Sequence, residues 1–247
     1  MVIPTLPPPM SSTFSIVVPV YNEAAFIPRA LPALIEQMES LDETYRILIV
    51  ENGSDDETAE VTRRVAGDHP VTVISLEEPD YGAAMREGFL EADSDWVVNF
   101  DIDYFSADFL RRVLELEGID LVIASKRDPG SEDRRPLIRR IATRVFNLML
   151  RTILGSRVSD THGMKAFRRG LVEALAPQVV SRQDLFDTEL VVRAERAGYR
   201  IEEVPVVVEE MRVARSSLVK RAPRTVLGLF RIRRILSYEQ GATSYEL

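Results

Sequence analysis

The chain contains no cysteine, which excludes disulfides and thiolate-held metals and permits a reducing compartment. It has only two histidines, His69 and His162, too far apart in sequence for a paired-histidine helix motif. Any metal would therefore be held mainly by oxygen. No run approaches the ~20 apolar residues of a membrane span. The opening MVIPTLPPPMSS lacks a basic start and an apolar segment of useful length, so it does not read as a signal peptide. Its prolines read instead as a short flexible arm over residues 1–13. Internal repeats and an obvious linker are absent too. These absences predict one domain kept in the cytoplasm. Positive charge is in deficit, 31 Lys and Arg against 39 Asp and Glu, and a net charge of −8 argues against general nucleic-acid binding.

What is present suits a globular enzyme or binding domain. With 247 residues and 45% hydrophobic content, the chain can bury a full core without staples. The basic residues are unevenly spread. Arg134 to Arg157 contains seven arginines and no acid, and Arg212 to Arg234 contains eight basic residues and no acid. Two such blocks in an acidic chain either address something anionic or are solvated helix faces.

FSIVVPVY (14–21) and YRILIVEN (45–52) are continuous apolar runs suited to strands buried on both faces. VTVISL (71–76), DWVVNFDID (95–103) and DLVIASKR (120–127) read as further strands, with helical segments between them. This alternation predicts an α/β fold with a mostly parallel central sheet and flanking helices. Beyond Arg127, residues 137–154 predict an amphipathic helix with arginines on the face opposite the apolar one. A turn and short strand over 160–169, a helix over 185–198, and a strand over 200–210 follow. Pro205 marks that last strand as an edge. A second basic amphipathic helix spans 224–236. The division expected is the arm, a catalytic domain over 14–218 and a C-terminal basic helix and tail over 219–247.

Ligands of open parallel sheets bind beyond the carboxyl ends of the strands. Strand one ends in Tyr21, Asn22 and Glu23, and strand two in Glu51, Asn52 and Gly53. Gly82 opens the helix after strand three, and Asp101 and Asp103 close strand four. Each feature alone is open to a structural reading, as a turn, a cap or a loop acid. Four of them at four successive strand ends point to one crevice. Asp101 and Asp103, at alternate positions, would share a face, and a cation between them and a diphosphate would offset their repulsion.

The combination resembles the family 2 glycosyltransferases, which have the GT-A nucleotide-diphospho-sugar transferase fold. VVPVYNEAAFIPRAL matches the family's first strand, VENGSDDET its V-D-D-G-S-x-D-x-T, YGAAMREGF its glycine-punctuated helix segment and DIDYF its metal-binding D-x-D. The resemblance implies that Pro19, Tyr21, Glu23, Glu51 and Gly53 line the nucleotide-sugar pocket. It implies that Gly82 lets backbone approach the donor, and that Asp101 and Asp103 hold Mg²⁺ or Mn²⁺. The second half, RRIATRVFNLMLRTILGSRVSDTHGMKAFRR with FDTELVVRAERAGYRIEEVPV and MRVARSSL, resembles the polyprenol- and dolichol-phosphate mannosyl- and glucosyltransferase branch. That branch implies acceptor-phosphate contacts from Arg140, Thr143, Arg151, Lys165, Arg212 and Ser217. The chain departs from these patterns at Glu51 and Asn52, at Phe105 where the lipid branch often has Gln, at Lys126-Arg127 after strand five, at His162, and at Leu218, where lysine often follows the serine.

The function implied is a metal-dependent, inverting transfer of mannose or glucose from a GDP- or UDP-sugar to a polyprenyl phosphate, on the cytoplasmic face of a membrane. A phosphate acceptor is already an anionic nucleophile. A soluble hydroxyl acceptor would need a base, for which Asp187 is the candidate, its other reading being a first-turn helix acid. A nucleotide-sugar-binding protein without transfer activity is the third reading.

Overall fold

The apolar runs near the N-terminus become the centre of a seven-stranded sheet. The computed structural model describes residues 13–125, 130–133, 137–158, 161, 163–182, 185–208 and 218–243. β1 (Thr13–Val20), α1 (Ile27–Glu39), β2 (Thr44–Asn52), α2 (Thr58–Ala66), β3 (Val71–Leu76), α3 (Tyr81–Glu91), β4 (Trp96–Asn99), α4 (Ala107–Glu115) and β5 (Leu121–Ser125) alternate along the first half. The second half adds β6 (Glu132–Asp133), α5 (Leu137–Met149), a π-helical turn (Leu150–Leu154), β7 (Lys165–Arg168), α6 (Arg169–Leu175), a 3₁₀ turn (Ala176–Gln178), α7 (Phe186–Arg196), β8 (Ile201–Pro205), β9 (Val207–Val208) and α8 (Leu218–Thr243).

The strand order is β3-β2-β1-β4-β7-β5-β8, and β6 pairs separately with β9. All neighbours in the large sheet are parallel except β7, which runs antiparallel to both β4 and β5. β8 is an edge strand, and Pro205 ends it, where a missing N–H costs least.

Side chains alternate across the sheet. Phe14, Ile16, Val18, Ile47, Ile49, Trp96 and Val98 pack under α1 and α4 on one face. Val17, Leu48, Val50, Val97, Ile123 and Phe167 pack under α3, α6 and α7 on the other. Strands covered on both faces need apolar residues at every position, which explains the continuous runs.

The structure differs from expectation at the end of β4 and in the helix over 137–154. Strand four stops at Asn99, so Asp101 and Asp103 lie beyond it in a turn closed by Asp101 N–H to Tyr104 O (3.2 Å) and Tyr104 N–H to Asp101 O (3.0 Å). Buried Phe100 and Ile102 carry the in-out alternation into that turn, which makes the strand look longer in the sequence. The helix over 137–154 is α-helical only to Met149, and its apolar stripe of Leu137, Ile138, Ile141, Val145 and Leu148 is not packed inward. These residues are between 44% and 68% exposed. The helix is seated instead by Asn147 and Leu150, while Leu150 and Leu154 join Leu185, Val192, Leu229, Ile232 and Leu236 in a third apolar cluster that docks α8.

Candidate active site

From β1 the chain winds one way to β2 and β3, and later returns to the other side of β1 with β4. The carboxyl ends of β1 and β4 therefore flank a topological switch point, where the two sets of loops diverge and leave a crevice.

The β1 and β2 ends are stitched into one rim. Asn22 adopts the left-handed conformation (φ 53°), which Asn tolerates better than most side chains. From there its Oδ1 accepts the Asp55 N–H (2.9 Å), and its own N–H donates to Ser54 Oγ (3.0 Å). The Glu23 N–H donates to Thr58 Oγ1 (2.8 Å), and the Ala24 N–H to Asp56 Oδ2 (3.2 Å). Asp56 is pushed up by desolvation, but bonds from the Thr58 hydroxyl and the Ala24 and Thr58 amides outweigh that and hold it below the usual carboxylate range. Glu51 is buried and accepts the Ser54 N–H, bracing its own turn. Asn52 extends the rim to α3, its Oδ1 taking the Asp80 N–H (2.7 Å), while Asp80 caps the helix through Ala83 N–H (3.2 Å). Gly53 has φ 63°, and a Cβ there would stand 2.6 Å from the Glu78 carbonyl carbon. Only glycine meets both conditions. Pro19 is half-buried at the end of β1, Tyr21 is exposed, and the side chain of Glu23 is buried.

Across the switch point stands the Asp101–Tyr104 turn. Asp101 is exposed and Asp103 half-buried, while the intervening Ile102 is buried. The turn thus offers hard oxygen ligands at the rim. No group of three or more His, Cys, Asp or Glu suited to a metal occurs among the described residues. A divalent cation bound at this turn would need to draw its remaining ligands from outside the protein, such as diphosphate and water oxygens.

Lys165 and Asp187 form a buried ion pair. Lys165 Nζ lies 3.1 Å from Asp187 Oδ2, 3.3 Å from Asn99 Oδ1 and 2.6 Å from Gly163 O. Asp187 Oδ2 also accepts from the Tyr81 hydroxyl at 3.3 Å. One carboxylate thus ties together the starts of α7 and α3, and Lys165 carries the tie to the end of β4. Antiparallel β7 makes this possible, because it sets Lys165 opposite Asn99 at the rim. Lys165 is placed differently from the acceptor contact expected of it. Its side chain is 0% exposed, and its ammonium is spent inside the protein. Asp187 is buried as well, so its charge is matched where it sits rather than presented to solvent.

Three of the remaining expected acceptor contacts lie on α5 and the π-helical turn that follows it. Arg140 and Arg151 are exposed and Thr143 is half-buried. By helical angle Arg140, Arg144 and Arg151 form one row between the seated face and the exposed apolar stripe. Arg212, Ser217 and His162 lie outside the described residues. Sequence reasoning overlooked Tyr81 and Asn99. Asn99 had left one signal, a lone amide inside an apolar strand.

A mostly parallel sheet with a switch-point crevice, a glycine-opened helix and an acidic turn has the architecture of the GT-A nucleotide-diphospho-sugar transferases. The structure of glucosyl-3-phosphoglycerate synthase from Mycobacterium tuberculosis, in complex with Mn²⁺, UDP and glucosyl-3-phosphoglycerate, shares the fold with a TM-score of 0.66. It is 20% identical over 90% of this chain and 78% of that one. The model of glycosyl transferase family 2 matches residues 15–176. The chain belongs to that family and is a glycosyltransferase. An uncharacterized glycosyltransferase of Mycobacterium tuberculosis is 34% identical over 195 residues, 78% of this chain and 83% of that protein. Glycosyltransferase AglD of Haloferax volcanii is 33% identical over 87% of this chain, which spans only 35% of that relative's length. The undecaprenyl-phosphate 4-deoxy-4-formamido-L-arabinose transferase of Sodalis glossinidius is 30% identical over 65% of this chain and 50% of its own.

Proposed function

We propose that the protein transfers a hexose, mannose or glucose, from a GDP- or UDP-sugar to a polyprenyl phosphate at a membrane surface. The observation that carries the lipid acceptor is the reversed amphipathicity of α5. Five large aliphatic side chains face outward, edged by Arg140, Arg144 and Arg151. An apolar stripe with guanidinium groups along its border matches a bilayer interface, where the stripe enters the acyl boundary and the arginines grip phosphates bidentately. No helix among the described residues is long and apolar enough to cross a membrane. The association proposed for the described residues is peripheral, through the α5 face. The Sodalis relative is named as an undecaprenyl-phosphate transferase, which is consistent with a lipid-phosphate acceptor.

In the proposed reaction an oxygen of the acceptor phosphate attacks the sugar's anomeric carbon from the face opposite the leaving group. The bond from that carbon to the donor diphosphate breaks, and the nucleoside diphosphate departs with the electron pair, so configuration inverts. Asp101 and Asp103 would hold a Mg²⁺ or Mn²⁺, which would supply neutralisation of the diphosphate's growing charge. The rim of Glu51, Asn52 and Gly53 positions the nucleotide, and the backbone at Gly82 approaches the donor. An ionised phosphate needs no proton removed, which agrees with Asp187 being engaged by Lys165 and Tyr81.

The test is a transfer assay with GDP-mannose and UDP-glucose, each against undecaprenyl phosphate in vesicles and against soluble hydroxyl acceptors including phosphoglyceric acid. Transfer to the lipid is the expected result. Transfer only to a soluble acceptor overturns the lipid reading, and nucleotide-sugar binding without turnover on any acceptor favours a binding protein.

A further inference from the structure

Glu189 and Arg193 lie one turn apart on α7, both buried and neither used in the reaction above. Glu189 Oε1 accepts the Val180 N–H (3.2 Å) and Oε2 the Ser181 N–H (2.8 Å). Arg193 Nε bonds Glu189 Oε1 at 2.8 Å. Its other two nitrogens take both oxygens of Glu239 on α8, at 2.8 and 3.1 Å. Burial works against the guanidinium charge, but its bonds to Glu239 and Glu189 more than offset that and raise its pKa above the ordinary value. A planar fork shared between two carboxylates fixes direction as well as distance.

What this network holds is the loop 179–182. A carboxylate bonded to two successive amides orients both peptide planes. From the other side, Arg86 on α3 donates to Val179 O. The loop also rests on the first turn of α3, since a Cβ on Gly82 would stand 2.8 Å from Arg182 Cα and 2.9 Å from Ser181 O. That same turn is joined to the donor rim by Asn52 and Asp80. Loop 179–182 is therefore clamped between the rim and the C-terminal helix. Buried ion pairs are weak sources of stability and better understood as setting geometry.

We propose that Glu239 is a positioning residue for the donor site: through Arg193 and Glu189, the C-terminal helix sets loop 179–182 as a wall beside Gly82. This rests on the reading that places the donor at Gly82. Arg193 Nη2 is shared, lying 2.8 Å from Glu189 Oε1 as well as bonding Glu239, so with Glu239 in place the guanidinium meets Glu189 at Oε1 and leaves Oε2 to the Ser181 amide. Without Glu239, the guanidinium is held by Glu189 alone and is free to swing across both of its oxygens and compete with the Ser181 and Val180 amides.

Glu239 is half-exposed, so its replacement leaves no buried hole, and the full-length Glu239→Ala chain is the primary variant, with Glu239→Gln as the milder one. Two quantities are read: binding of UDP and GDP in the presence of Mn²⁺, and hydrogen exchange of the Val180 and Ser181 amides. Glu239→Ala is expected to weaken nucleotide binding by roughly two- to thirtyfold, the range of energetic coupling through packed networks, and to speed exchange at both amides. Glu239→Gln should fall between. In turnover, the donor KM should rise while kcat and acceptor KM hold. A variant with lowered thermal stability but unchanged nucleotide affinity and unchanged exchange shows a plain helix clasp and overturns the proposal. A wild-type chain that binds neither nucleotide overturns the donor-site reading and this proposal with it. Binding by the wild type matched by Glu239→Ala overturns this proposal alone.

Discussion

At the scale of single residues, the site contains two kinds of carboxylate, and they should fail differently. Asp103 stands at the rim, where its proposed work is done only when nucleotide and cation are present. A ligand at about 100 times its Kd stabilises a folded protein by about 2.7 kcal/mol. Asp103→Ala should fold as well as the wild type yet lose most of the thermal shift produced by nucleoside diphosphate with Mn²⁺. Asp187 is the opposite case. Replacing it with Asn leaves the buried Lys165 ammonium without its countercharge, a change expected to cost about 3–5 kcal/mol in chemical denaturation. Adding Lys165→Met should restore most of the loss, because the stranded charge is then gone. Asp56 supplies a pH signature. Its folded pKa lies below the ordinary value of 3.8, so its contribution is fully present above that value and is lost as pH falls through the folded pKa. Asp56→Asn should therefore lower Tm at neutral pH and flatten its fall in the acid range, as followed by pH-dependent melting.

Elements show where the sequence was legible and where it was not. β1 and β2 were readable because a strand covered on both faces must be apolar throughout. The end of β4 was obscured because Phe100 and Ile102 remain buried after the strand stops pairing. α5 was readable as a helix with one apolar face. Periodicity shows which residues share a face, not whether anything covers it, so the outward direction of Leu137, Ile141 and Leu148 emerged only from the tertiary packing. The Lys165–Asp187 pair was hidden for a related reason: two residues distant in sequence meet only once β7 has entered the sheet. The glycines of α3 were legible as a motif but not in their separate jobs. A Cβ on Gly88 would stand 2.4 Å from Val17 Cγ1 and 2.8 Å from Val50 Cγ2, so that glycine lets the helix sit close on β1 and β2. Gly88→Ala should destabilise by about 1–3 kcal/mol through overpacking, measured by urea denaturation, while nucleotide affinity of the folded fraction is retained.

For the whole molecule, a net charge of −8 and an arginine-edged apolar stripe have to coexist. General attraction to an anionic surface is therefore weak, and contact should depend on the α5 face rather than on bulk charge. Ile141→Glu combined with Leu148→Glu should reduce co-sedimentation with phosphatidylglycerol vesicles at least tenfold or so, since each buried aliphatic side chain is worth about 1.5–3 kcal/mol. Turnover of a water-soluble short-chain polyprenyl phosphate should be largely kept. Raising salt should weaken vesicle binding of the wild type by screening the arginines.

The antiparallel insertion of β7 has a consequence for how the molecule assembles. β1, β2 and β3 follow one another in the chain and each adds to the last through a helical crossover, while β4 pairs back on β1, Phe14 opposite Trp96. β5 does not touch β4; it reaches the sheet only through β7, which pairs Trp96 with Arg168 and Leu121 with Phe167. Closing that strand brings together segments far apart in sequence, the slow kind of step in folding. The β3-to-β4 part of the sheet and the β5–β8 pair are joined by this single four-residue strand. A chain interrupted before Lys165 would leave a four-stranded sheet with an open edge at β4, and β5 without either of its sheet partners, the kind of exposed edge that invites aggregation.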